Sequence, residues 1–218
     1  YDKAYTRAYN IEVLQNKHGV FIMEHLAVVA DTVQKIMDIE LTWKIDETGK
    51  IIASMEAQKD EEFPDLPRFG IRLFLDKKFE DVAYYGMGPH ESYRDKHQAT
   101  SHGIYRSKVT DLHEDYIRPQ ENGSHYDCDY VELTNAQYGF AIVSEDSFSF
   151  NASYYTQEVL EQTKHNFELE ESDSTVLCVD YALNGIGSNS CGPVVLDQYR
   201  FRENEFRFQL KLVPYVKR

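Results

Sequence analysis

The stretch Ile39-Glu40-Leu41-Thr42-Trp43-Lys44-Ile45-Asp46-Glu47-Thr48-Gly49-Lys50-Ile51-Ile52-Ala53-Ser54-Met55 decides the fold class of this 218-residue chain. Ile39, Leu41, Trp43 and Ile45 alternate with Glu40, Thr42 and Lys44. That period of two sets apolar side chains on one face of a strand and polar ones on the other. Asp46-Glu47-Thr48-Gly49 then turns the chain, Gly49 being able to take a positive φ, into the apolar run Ile51–Met55. The passage reads as a β-hairpin with one packed face.

The same period recurs outward from it. Phe69, Ile71, Leu73 and Leu75 alternate with residues that include Arg72, and Phe206, Phe208, Leu210 and Leu212 alternate with Arg207, Gln209 and Lys211. Further strands are expected at Tyr130–Leu133, Phe140–Val143, Phe148–Asn151 and Val176–Tyr181. A single helix is expected from Thr156, a good N-cap, to about His165. Strands and helices do not alternate, which excludes doubly wound and (β/α)₈ folds and leaves a large antiparallel β-sandwich. Lys59–Pro67 is linker-like, but similar strands on both sides make it a loop inside one domain spanning residues 1–218.

Lys and Arg total 23 against 37 Asp and Glu, a net charge of −14 that argues against nucleic acid and anionic membrane surfaces as partners. No apolar run reaches the roughly 20 residues of a membrane span. The start, Tyr1–Asn10, has no basic segment leading into an apolar stretch, so no signal peptide is expected. Three scattered cysteines (Cys128, Cys178, Cys191) suit a reducing, cytoplasmic compartment better than a disulfide framework. The 16 Tyr and 12 Phe favour β-structure and, where exposed, contact with sugars.

Four segments carry candidate chemistry, each beside a structural reading. His90, His97, His102, His113 and His125 cluster with acids, yet without a recognised metal-ligand spacing, so no metal site is assigned. The adjacent pairs Glu61-Glu62 and Glu170-Glu171 read as solvated surface rather than a glycosidase pair. Tyr84-Tyr85-Gly86-Met87-Gly88-Pro89-His90-Glu91-Ser92-Tyr93 reads as a tight turn out of an aromatic strand, with Glu91, Tyr93 and Asp95 able to bond the loop's own backbone. Gly185-Ile186-Gly187-Ser188-Asn189-Ser190-Cys191-Gly192-Pro193 is a glycine-rich loop, either a plain connection or one shaped to reach a ligand; it lacks the ending of a phosphate-binding loop.

Taken in order, these segments resemble one family. Gly86-Met87-Gly88-Pro89-His90-Glu91-Ser92-Tyr93-Arg94-Asp95-Lys96 is similar to the G-x-G-P-x-E-x-Y-x-D-R/K motif of the C-terminal domain of glycoside hydrolase family 2 β-galactosidases. Tyr116-Ile117-Arg118-Pro119-Gln120-Glu121-Asn122-Gly123 is similar to its Y-x-x-P-x-E-N-G motif, so that Pro119, Glu121 and Asn122 join Gly86, Gly88, Pro89, Glu91, Tyr93 and Asp95 as structural-motif residues. Phe150–Thr156 follows, and Asp180 with Gly185–Pro193 resembles the family's D…G-I-G-S-x-S-C-G-P.

The resemblance implies an all-β antiparallel supersandwich of the galactose mutarotase-like kind. It implies a fragment lacking the N-terminal part of that domain, whose arginine–proline–Asp-Asn-Asp type motif is not found. It also implies hydrolysis of terminal β-D-galactosides such as lactose, with retention, by carboxylates and a magnesium site on a separate barrel. This chain would then hold neither catalytic residue nor cofactor. Its implied partners are the barrel, the other domains or large subunit of the same enzyme, the carbohydrate substrate, and further copies in a homo-oligomer. Ser190, Cys191 and Gly192 would bind substrate on the aglycone side, Cys191 standing where one branch of the family has tryptophan. A stand-alone carbohydrate-binding module and, behind it, a mutarotase-type aldose epimerase using His90, His125 and Glu121 remain as alternatives.

Overall fold

The computed structural model describes residues 1, 3–185 and 195–217. Their strands, in chain order, are β1 (Tyr5–Asn16), β2 (Gly19–Val29), β3 (Lys35–Ile45), β4 (Ile51–Lys59), β5 (Arg68–Asp76), β6 (Asp81–Gly88), β7 (Ser101–Lys108), β8 (Ser124–Thr134), β9 (Tyr138–Ser153), β10 (Ser174–Leu183) and β11 (Glu205–Val216). The one α-helix among the described residues is α1 (Gln157–Gln162). The pairs β1–β2, β2–β3, β3–β4, β4–β11, β5–β10, β9–β10, β6–β7 and β6–β8 are antiparallel, so the expected all-β antiparallel class holds.

Contacts group the chain into two compact units. The first comprises Tyr1–Pro67, Ile142–Asp146 and Phe201–Pro214. Its strands run in the order β1-β2-β3-β4-β11. The quoted hairpin forms as read: Asp46 Oδ1 accepts from Thr48 N at 2.8 Å and Lys50 N at 3.1 Å, and Gly49 takes φ +81°. Register aligns Ile39 with Ala57 and Phe206, and Leu41 with Met55 and Phe208, all buried. Each large side chain in that layer contributes about 1.5–3 kcal/mol by leaving water. Lys59, at the layer's end, is also buried, and its Nζ donates to Asp60 O at 2.9 Å and Phe63 O at 2.8 Å. These bonds tie down the Lys59–Pro67 loop.

The second unit comprises Arg68–Ala141, Ser147–Arg200 and Tyr215–Arg218. Its strand order is β7-β6-β8-β9-β10-β5. The core gathers Tyr84, Val131, Leu133, Phe150, Leu177 and Val179, each at most 1% exposed.

Two expectations of detail are corrected. The helix starts as read, Thr156 Oγ1 accepting from Val159 N at 3.3 Å, but stops at Gln162 rather than His165. Thr163 turns extended (φ −82°, ψ 137°) and its hydroxyl donates to Val159 O at 2.7 Å, closing the last turn. The runs Phe140–Val143 and Phe148–Asn151 belong to one strand, β9, because Ser144–Ser147 stays extended between them.

Candidate functional site

Glu91 follows the turn that leaves β6 and is 8% exposed. Its Oε1 accepts from Lys96 Nζ at 2.6 Å and from the Tyr116 hydroxyl. Its Oε2 accepts from Gly123 N at 2.9 Å and from the Tyr93 hydroxyl at 3.1 Å. Burial opposes the charge, but Lys96, Tyr116 and the Gly123 amide outweigh it and hold the carboxyl below its ordinary value. The same carboxylate, after burial, pushes the Tyr93 and Tyr116 hydroxyls up, so they stay donors.

The acid therefore braces a different segment from the one expected. The sequence suggests bonds to its own loop, whereas the structure sends Glu91 across to Tyr116 and Gly123 of the Y-x-x-P-x-E-N-G motif. Gly123 has φ +71°, and a Cβ there would run into Leu112 O. Only glycine delivers its N–H to Glu91 at that point without strain. Ser92 completes the seam: its N donates to Ser124 O at 2.7 Å, and its hydroxyl donates to Met87 O at 3.0 Å while accepting from Tyr126 N at 2.9 Å.

The remaining motif residues extend this network. Asn122 is buried, accepts from Glu114 N at 2.9 Å, donates to Gln120 O at 2.9 Å, and receives Asn151 Nδ2 at its carbonyl. Pro119 is buried beside it in sequence. Gly86 lies tight against Cys128, and Gly88 against Tyr84 and Tyr105, ahead of Pro89.

Glu121 bonds the Arg68 guanidinium, whose Nε and Nη2 reach Asp180 Oδ1 at 3.1 Å and Oδ2 at 2.5 Å. Asp180 is 3% exposed, and burial pushes its carboxyl up to about 6, Arg68 pulling against that shift. Burial also acts on Arg68, yet the two carboxylates prevail and keep it protonated. Arg68 escaped the sequence reading: it stands 112 residues from Asp180, and no local pattern marks it.

Asp180 lies in β10, which has a register shift between Asp180 and Ala182. Five residues past Asp180, Gly185 packs so closely on the Asp95 carboxylate that any Cβ there would overlap it. Beside this contact lies an open cleft of about 470 Å³ lined by His90, Glu91, Asp95, Lys96, Glu114 and Tyr116. Ser190, Cys191 and Gly192 lie outside the described residues.

The histidines do not form a cluster of ligands. His125 is 1% exposed, one of three mutually packed rings with Tyr84 and Phe150, and its Nδ1 lies 3.2 Å from Met87 O. His97 Nδ1 lies 3.1 Å from Tyr93 O, and His102 Nε2 lies 3.0 Å from Asp127 O. Among the described residues no three His, Cys, Asp or Glu side chains are placed to hold a metal. His125 is buried, and Glu121, half-buried, gives its Oε1 to Arg68. Among the described residues no helix is long and apolar enough to cross a membrane.

The model of the β-galactosidase small chain matches residues 2–212. The chain belongs to that family. It is 45% identical to a β-galactosidase of Actinobacillus pleuropneumoniae over 98% of its length, and 40% identical to one of Staphylococcus xylosus over 95%. It spans about a fifth of either relative, 21% in both cases. In three dimensions it is similar to the galactose 1-epimerase of Lactobacillus acidophilus, with a TM-score of 0.52 at 8% identity, covering 96% of this chain and 67% of that one. The fold is galactose mutarotase-like, as the resemblance of the motifs implied.

Proposed function

We propose that the chain is the C-terminal domain of a retaining β-galactosidase, which hydrolyses terminal β-D-galactosides such as lactose in the cytoplasm. The catalytic carboxylates and magnesium belong to a barrel on the rest of the polypeptide or a large subunit, and the complete enzyme is a homo-oligomer. This domain supplies the Gly185–Pro193 loop as a wall of the pocket, with Ser190, Cys191 and Gly192 on the aglycone side, and contacts for assembly. Alone it is inactive, because covalent catalysis between two carboxylates needs the barrel. Cys128 and Cys178 are buried free thiols, which suits a reducing compartment.

One observation carries the reading. The four motifs interlock, Glu91 with Gly123 and Asn151 with Asn122, and two of their links reach the stem of that loop: Glu121 through Arg68 on Asp180, and Asp95 against Gly185. A stem anchored by the Arg68 fork on buried Asp180 and by the close packing of Gly185 on Asp95 suits a loop that presents side chains at a fixed place.

Cys191→Trp in the full-length enzyme tests it, with lactose and nitrophenyl β-galactosides as substrates. The expected result is a change in kcat/KM of about 10-fold that differs between aglycones, as gain of a stacking surface predicts. The chain assayed alone should hydrolyse neither. Equal effects on every aglycone together with a general loss of stability would remove the loop from the pocket.

A further inference from the structure

The apolar layer of the first unit does not end where its cover ends. On β3, Met37, Ile39 and Leu41 are 2%, 7% and 8% exposed. Register carries that face onto β2 through Val28, Leu26, Glu24 and Ile22, and onto β1 through Thr6, Ala8, Ile11 and Val13. The β2 residues are half-buried, while Ile11 and Val13 are 55% and 62% exposed. All twelve residues of β1 are exposed, and among the described strands β1 pairs only with β2. Long apolar edge strands left open are templates for another strand, and a core face running out into water is one element short.

Glu24 adds chemistry to the shape. It lies in this layer opposite Ile11 and Leu41, with Trp43 Nε1 as a donor at 3.4 Å. Covering a carboxylate with that one long, neutral bond is costly unless the cover brings a cation. The layer's other β1 and β2 positions, Thr6, Ala8, Ile11, Val13, Ile22, Leu26 and Val28, hold none.

We infer that this face docks a β-strand layer from the part of the β-galactosidase polypeptide that the chain does not span, with a lysine or arginine set against Glu24. Ample polypeptide exists for it: the chain spans 21% of its relatives. A second copy fits less well, because it would bring another Glu24 and no cation to the same apolar layer. The inference rests on the chain being one domain of a larger enzyme, not on the pocket role of residues 185–193.

Hydrogen–deuterium exchange on the full-length enzyme and on this chain decides the matter. Amides of residues 5–16 should exchange about 100-fold or more slowly in the enzyme than in the chain. Ile11→Asp with Val13→Asp should restore fast exchange there in the enzyme. Equal exchange in both proteins overturns the inference, and so does protection in the chain alone that grows with its concentration, the mark of a second copy. An active enzyme whose Cys191→Trp variant shifts aglycone preference while β1 stays open would sink this inference and leave the proposed function standing.

Discussion

Glu91 and Glu24 are both carboxylates among apolar neighbours, and the protein treats them differently. Glu91 receives four donors, one a lysine, and every one comes from within the second unit. Glu24, half-buried on β2, has the Trp43 indole at 3.4 Å. The first acid has its charge met by donors of its own unit; the second sits on a face whose partner is still to come. Buried polar groups within a finished core are paired almost without exception, so the state of a carboxylate reports whether its surroundings are complete.

The polar pairing of the second unit is most costly to lose at Arg68. Arg68→Met leaves Asp180 buried without its bidentate partner and should cost about 3–5 kcal/mol at pH 7. The pH dependence gives the mechanism away. The Asp180 carboxyl is already raised to about 6, and losing Arg68 raises it further. A carboxyl raised in the folded state favours folding below its unfolded value, near 3.8, and that advantage is lost as pH climbs through the folded value. The variant's deficit in urea unfolding should therefore shrink from pH 7 to pH 4. A deficit independent of pH would mean that Asp180 is not the group left stranded.

His125, in the same unit, carries a smaller pH-dependent effect. Burial against Tyr84 and Phe150 lowers its pKa to about 4 from 6.5, with Met87 O and Glu91 pulling the other way. A group depressed in the folded state contributes stability above its unfolded value, lost as pH falls through the folded one. From pH 6.5 to pH 4 the chain should lose about 3 kcal/mol on this account. His125→Phe should remove that part of the slope, because the ring is kept and the proton is not. Wild-type and variant unfolding midpoints with parallel pH profiles would refute it. The Glu91 contribution falls at lower pH, since its value is depressed below the usual carboxylate range.

How much of this was legible in sequence follows from the range of the interactions. The Ile39–Met55 hairpin and the Phe206–Leu212 strand were readable because a single packed face imposes a period of two on neighbouring residues. The four motifs were readable as segments. Their interlocking was not, because Glu91 meets Gly123 32 residues away and Arg68 meets Asp180 112 residues away. The hairpin β1–β2 went unread for a local reason. A bulge between Ala8 and Asn10 inserts Tyr9, so Thr6 and Ala8 share a face with Ile11 and Val13 and the alternation breaks midway. The helix was read too long because polar residues after Gln162 carry no stop signal as strong as glycine or proline.

The smallest expected effect lies on the open face and tests whether it is open. Val13 shares its layer with Ile22, Trp43 and Leu210, where side-chain removal would normally be costly. At 62% exposure it has little apolar contact to lose. Val13→Ala in this chain should therefore change the unfolding free energy by less than about 0.5 kcal/mol. In the full-length enzyme, with the layer covered, the same two methyl groups should be worth about 1–2 kcal/mol, read as a loss of protection in residues 5–16. Were the chain itself to lose that much, Val13 would already be packed, and the contrast between a finished region and an unfinished one would have to be drawn elsewhere.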